Sequence, residues 1–172
     1  MPAERWHHPA CLDDDELLKQ CDVGRGRSSG PGGQNRNKVE TLVYMTHVPS
    51  GVEAHAGERR SQIENKRVAL RRLRLALATE VRTGVPIGLI GSALWRSRAS
   101  GGKIACSPGH HDYPALLAEV MDVVADAGWD LRKPALRLEV SSSQLLKLIK
   151  DHPPALVVLN QERQKRGLHP MK

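Results

Sequence analysis

The chain has 172 residues, of which 40% are hydrophobic and only 3% aromatic, with no Phe and a net charge of +7. That length supports one ordinary domain or two small ones, and the core must be aliphatic. No apolar run approaches a membrane span, and the start carries neither a signal h-region nor an Arg/Ser-rich transit pattern, so a cytoplasmic protein without a membrane partner is expected.

Three cysteines, Cys11, Cys21 and Cys106, are odd in number and lack C-x-x-C spacing, which fits a reducing compartment. The charge is unevenly placed. From Gly24 to Arg82 there are twelve Lys and Arg against five Asp and Glu, while the remainder holds fourteen of each. The whole excess sits in one segment, the electrostatic footprint of a polyanion partner.

Residues 1–10 read as an irregular lead-in. Asp13 to Cys21 offers an acidic N-cap cluster followed by Leu17 and Leu18, a short helix. Cys21 to Arg27 can extend as a strand. It runs into Arg27-Ser28-Ser29-Gly30-Pro31-Gly32-Gly33-Gln34-Asn35-Arg36-Asn37-Lys38, where three glycines and a proline exclude a helix or a central strand. The stretch is therefore a loop. Arg25 and Arg27 precede it, and Arg36 and Lys38 follow its glutamine, so it suits close approach to a polyanion. Glutamine is neither a useful base nor a nucleophile, so chemistry at Gln34 rests on hydrogen bonding and position.

Glu40 to Val48 is rich in β-formers, Pro49-Ser50-Gly51 is a turn, and Val52 to His55 returns as a second strand of a hairpin. Glu58 to about Arg82 has a helical pattern. Ile63, Leu70, Leu73, Leu77 and Val81 form its core stripe, and Arg60, Arg67, Arg71 and Arg74 a basic stripe beside it. Thr83 to Gly88 reads as a linker and Ser97 to His111 as irregular. Tyr113 to Val124 is a strong helix stopped by Gly128. Leu131–Glu139, Ser143–Lys150 and Ala155 to about Arg166 are three more, the last ended by Gly167. The fold class is α+β: strand, loop, hairpin and helix over 1–85, then an all-helical module over 86–172.

In that module Ala135, Val140-Ser141 and Gln144-Leu145 have the spacing of a helix-turn-helix. Plain helical packing satisfies the same pattern and is the preferred reading. No metal is expected, because neither His7, His8 and Cys11 nor Cys106, His110 and His111 has the paired spacing of a structural zinc site. Gly101-Gly102-Lys103 is not a phosphate loop, since Ser97 stands at its first glycine and Ile104 at its Ser/Thr.

The loop, the strand after it, Thr46-His47-Val48-Pro49-Ser50-Gly51-Val52, and Arg60-Ser61-Gln62 with Asn65-Lys66 together resemble the catalytic domain of class I peptide chain release factors, over roughly Cys21 to Arg82. The short acidic helix leading into the strand looks most like the stop-codon-independent relatives that rescue stalled ribosomes. The resemblance implies a ribosome-dependent peptidyl-tRNA hydrolase, with the large-subunit peptidyl transferase centre and P-site peptidyl-tRNA as partners, no cofactor, and a monomeric chain. Gly32, Gly33 and Gln34 would be catalytic. The glycines let the backbone fit beside the tRNA end, the Gln34 main-chain N–H donates to the oxyanion or the leaving 3′-oxygen, and its side chain places water. Arg25, Arg27, Arg36, Asn37, Lys38, Arg60, Ser61, Gln62, Lys66, Arg67, Arg71 and Arg74 would contact ribosomal RNA. A glutamine methyltransferase is a further implied partner, with Gln34 as its N5-methylation site. About 20 residues precede the matching region, too few for a codon-reading domain, so stop-codon recognition is not expected. A non-catalytic ribosome- or RNA-binding protein carrying an inherited loop is the alternative.

Overall fold

Side-chain alternation builds the sheet. The computed structural model describes residues 5–27, 40–88 and 91–172. Strands β1 (Cys21–Gly26), β2 (Leu42–His47) and β3 (Val52–Ala56) pair antiparallel in the order β1-β2-β3. Cys21 faces His47 and Gly26 faces Leu42 across the first pair; Val43 faces Ala56 and His47 faces Val52 across the second. Val43, Met45, Val52 and Ala56 are buried, whereas Tyr44 and Glu53 are exposed, as a sheet with one covered face requires. The β2–β3 turn closes with the Gly51 N–H donating to the His47 carbonyl at 2.7 Å, and Gly51 takes a φ of 73° that favours glycine.

Two helices complete this unit. In α1 (Asp14–Lys19) the Glu16 carboxylate reaches back to the Asp13 N–H at 3.3 Å, and three acids in the first turn with Lys19 in the last complement the helix dipole. It buries Leu17. The longer helix, α2 (Gln62–Glu80), buries Asn65, Ala69, Leu73 and Leu77 at steps of four, with Leu70 beside them. Ile63, expected in the core stripe, is 68% exposed. The inward position of the first turn belongs to Asn65, and two residues of helix turn Ile63 away from it.

By contact the chain divides into Leu12–Leu77 and a second unit of Met1–Cys11 with Ala78–Lys172. The second contains α3 (Ala93–Arg98), β4 (Ala99–Ser100), β5 (Lys103–Ile104), α4 (Tyr113–Asp126), α5 (Arg132–Arg137), α6 (Ser142–Lys150) and α7 (Pro153–Lys165). The stretch expected to be irregular thus holds the end of a helix and a two-stranded hairpin, so this half is not purely helical, and the α+β class holds. Its signals are short: Ser92 caps α3, its Oγ accepting from the Trp95 N–H at 3.1 Å, and Trp95 is buried, its indole N–H donating to the Leu138 carbonyl at 2.9 Å.

Helix α4 is the centre of this unit, buried on nearly every side from Tyr113 to Val124. Two of its buried residues are acids, and both are satisfied. Glu119 accepts from the Ser92 N–H and hydroxyl, each at 2.6 Å, although burial still raises its pKa. Asp122 accepts from the Trp6 indole at 2.9 Å, the Thr83 N–H at 3.0 Å and the Thr83 hydroxyl at 2.6 Å, with Arg82 ion-paired at 3.3 Å. Burial pushes the Arg82 pKa down to about 10 against the opposing pull of Asp122. These bonds explain why the lead-in groups with α4: Trp6 and His8 are both 2% exposed. His8 accepts the Ala10 N–H at Nδ1, which leaves Nε2–H to donate to the Val81 carbonyl at 3.0 Å.

Candidate functional site

The glycine-rich loop is the connection between β1 and β2. It leaves at Gly26 and returns at Leu42, which are register partners. Gly32, Gly33, Gln34, Arg36, Asn37 and Lys38 lie outside the described residues, so the site is built from its stem. On the outgoing side, a Cβ on Gly26 would stand 2.9 Å from the Tyr44 hydroxyl oxygen and 3.0 Å from its Cε2. Tyr44 lies over the strand at that point, and a Cβ there would push the exposed end of its ring aside.

The returning side is held by the first turn of α2. The Gln62 amide donates to the Glu40 carbonyl at 3.1 Å. Asn65 is fully buried and uses its whole carboxamide: Nδ2 donates to the Thr41 carbonyl at 2.7 Å and the Arg59 carbonyl at 3.0 Å, while Oδ1 accepts the Arg59 N–H at 3.0 Å. Ser61 accepts the Glu64 N–H at 3.4 Å at the helix entry. Residues 41, 59 and 65 are thereby tied into one hydrogen-bonded knot at the loop's base, with the Glu40–Gln62 bond beside it. Asn65 was missing from the expected site residues. Its signal was a polar residue standing on the line of Ala69, Leu73 and Leu77, inside the same motif as Gln62.

The basic residues divide by what they touch. Arg25, Arg27, Arg60, Lys66 and Arg67 are exposed and make no ion pair among the described residues. Arg71 is half-buried. Arg74 is turned inward, its side chain 14% exposed, donating to the Leu12 carbonyl and the Asp14 carboxylate, each at 2.6 Å. Arg72, absent from the expected stripe, donates to the His55 carbonyl at 2.9 Å and pairs with Glu58. The Glu58 carboxyl is lowered to about 2 by its own backbone N–H, by Arg72 and by the Gly57 N–H. At the far end of the hairpin, His47 is 1% exposed between the Gln20 amide oxygen at 2.9 Å and the Ser50 hydroxyl at 2.6 Å, and burial lowers its pKa. The Gln20 oxygen can only accept, so Nε2 carries the proton of the neutral ring.

The stem carries the Gln62 and Asn65 amides, the Arg25 and Arg27 guanidinium groups and the Tyr44 phenol, which position and attract. The Glu40 carboxylate and the His55 imidazole, 6.5 Å from the Tyr44 ring, are proton-accepting groups beside them. Among the described residues one group of close metal-type ligands exists, His110, His111 and Asp112, in the other unit. Arg98 already donates to Asp112 at 2.5 Å and lies 3.1 Å from His110 Nε2, where its charge opposes a cation.

The glycine-bearing connection, the three strands and α2 fall within one recognised sequence family. Residues 18–84 match the RF-1 domain. Over 56 residues the chain is 52% identical to the chloroplastic peptide chain release factor PrfB1 of Arabidopsis thaliana, covering 33% of this chain and 12% of that protein. It is 55% identical over 51 residues to peptide chain release factor 1 of Chlorobaculum tepidum, covering 30% and 14%. It is 49% identical over 57 residues to peptide chain release factor 1 of Acidothermus cellulolyticus, covering 31% and 16%. The chain thus spans a small fraction of the length of these relatives, and the likeness is one of the RF-1 domain.

Proposed function

We propose that this protein hydrolyses the peptidyl-tRNA ester in the ribosomal peptidyl transferase centre, without reading a codon, and so frees stalled ribosomes. The observation that carries this reading is the Gly32-Gly33-Gln34 sequence on the connection between paired strands of an RF-1 domain. The glycines give the backbone close access to the tRNA end, the Gln34 N–H stabilises charge on the reacting oxygen, and the Gln34 side chain, which Gln34→Ala removes, places the attacking water. Arg25, Arg27, Arg36, Lys38, Arg60, Lys66 and Arg67 supply attraction to ribosomal RNA, and Asn37 and Arg71 are further proposed contacts. Ser61, Gln62 and Arg74 act from behind, through the loop stem and the α1–α2 contact. Codon independence is supported by α1, which ends at Lys19, two residues before β1 begins at Cys21, the arrangement that resembles the rescue relatives. No helix among the described residues is long and apolar enough to cross a membrane. Gln34 is also the proposed substrate of a glutamine methyltransferase, and the chain acts as a monomer.

The test is release of labelled peptide from purified ribosomes carrying peptidyl-tRNA, with no mRNA beyond the P site, a sense codon or a stop codon. Equal release on all three, reduced on the order of a hundredfold by Gln34→Ala, is the expected result. Ribosome binding without release, indifferent to Gln34→Ala, would replace the hydrolase with a non-catalytic binding protein.

A further inference from the structure

One part of the second unit has no place in that reaction. Helices α5 and α6 are joined by Leu138–Ser141, and Glu139 in the joint takes a φ of 56°, the left-handed conformation. Ala135 in α5, Val140 in the joint and Leu145 in α6 are 7%, 6% and 0% exposed. A small buried residue, a left-handed turn residue four positions later and an apolar anchor in the second helix are the frame of a helix-turn-helix. The left-handed Glu139, with the Val140 N–H donating to the Ala135 carbonyl at 3.1 Å, is also an ordinary helix C-cap, so plain helical packing satisfies the same frame.

The β4–β5 hairpin is fastened to this motif. The Ser141 N–H donates to the Gly102 carbonyl at 2.9 Å, and the Ile104 N–H donates to the Gln144 amide oxygen at 3.3 Å. Lys103 stands between those two contacts and is exposed. On α6 itself Leu145, Leu148 and Ile149 face inward, while Ser143, Lys147 and Lys150, at steps of four and three, share the exposed side. Lys147 gives part of its charge to Asp151 at 3.0 Å; Lys103 and Lys150 make no ion pair among the described residues.

Charge singles out the same place. Residues 86–172 hold twelve Lys and Arg against eight Asp and Glu. Of the six cations in residues 99–104 and 132–150, Arg132, Arg137 and Lys147 are paired with Asp130, Asp126 and Asp151, while Lys103, Lys133 and Lys150 make no ion pair among the described residues. We propose that the exposed side of α6 with the hairpin tip at Lys103 binds the sugar–phosphate backbone of double-helical RNA. The exposed side has lysines and a serine but no Arg or Asn, the side chains that most often read base edges. A-form RNA is held mainly through phosphates and 2′-hydroxyls, because its major groove is too deep and narrow for side chains to read. Point charges and hydroxyls match that surface better than a sequence code. The proposal is independent of the hydrolase reading, since binding and release are measured separately.

The test is fluorescence anisotropy of the full chain with a 20-base-pair RNA duplex and a DNA duplex of the same sequence, across about 50 to 200 mM salt. Lys103→Ala with Lys150→Ala is compared with Arg60→Ala with Arg67→Ala, which subtracts attraction by the RF-1 domain. The first pair is expected to weaken RNA binding about tenfold at low salt and to lower the log–log salt slope by about two, with an unchanged melting curve. Ser143→Glu is expected to give a comparable loss with the lysines in place. Wild-type affinity and slope in both variants would overturn the proposal. So would equal binding of the DNA duplex, which would assign the face to DNA.

Discussion

The Asn65 carboxamide and the Thr41 carbonyl meet at 2.7 Å, fully buried, at the point where the chain returns from the Gly-Gly-Gln segment. Helix α2 thus fixes one end of the loop through a residue that touches no expected substrate. Asn65→Ala leaves the Thr41 and Arg59 carbonyls and the Arg59 N–H unpaired, and is expected to cost about 1–3 kcal/mol. Urea unfolding measures that loss. On ribosomes the variant should lower kcat while apparent ribosome affinity stays near wild type; loss of affinity alone would assign Asn65 to binding.

Gly26 and Tyr44 make a second stem contact with its own signature. Gly26→Ala pushes aside the exposed end of the Tyr44 side chain and should change stability by no more than about 0.5 kcal/mol. Tyr44→Ala removes the obstacle, so the two substitutions should be additive to within about 0.5 kcal/mol in a double-mutant cycle. A larger coupling would show that the ring cannot move aside.

The basic stripe should separate into two classes. Arg60→Ala and Arg67→Ala are expected to weaken ribosome binding in a salt-dependent manner while leaving the melting temperature unchanged. Arg74→Ala strands the Leu12 carbonyl and should cost about 1–3 kcal/mol. Thermal unfolding beside ribosome pelleting distinguishes the two.

His47 predicts a pH dependence of folding. Burial lowers its folded pKa below the ordinary 6.5, so the unfolded chain binds more protons in the window just below that value. Stability is therefore full above about pH 6.5 and falls as pH drops through the folded pKa. His152, also lowered by burial, contributes with the same sign. Urea midpoints between about pH 7.5 and 5.5 should decline in the wild type and decline less in His47→Gln. Equal slopes would place the dependence elsewhere.

Local periodicity made much of this fold legible. The Leu42–His47 strand, the Pro49-Ser50-Gly51 turn and the glycine stops after α4 and α7 are short-range signals, and they appear where the sequence placed them. Three features escaped for physical reasons. Asn65 breaks an apolar pattern because the loop stem needs an amide there, so hydrophobic counting passed the inward position to Ile63. The β4–β5 hairpin has two residues per strand, too few for alternation to register. Trp6 finds Asp122 across 116 residues, a pairing no local pattern encodes. At the site, the loop was legible as a motif, while the division of the arginines between solvent and structure depended on tertiary partners.

That last pairing has a consequence for synthesis. Trp6 precedes the Leu12–Leu77 unit in the chain, yet the carboxylate that holds its indole belongs to a helix completed at Asp126. The Leu12–Leu77 unit, whose strand contacts are local, has all its residues long before then. At about 5–20 residues per second, the lead-in waits several seconds after that unit is complete. During this interval the Trp6 indole lacks its carboxylate partner, while the loop-bearing unit can already mature.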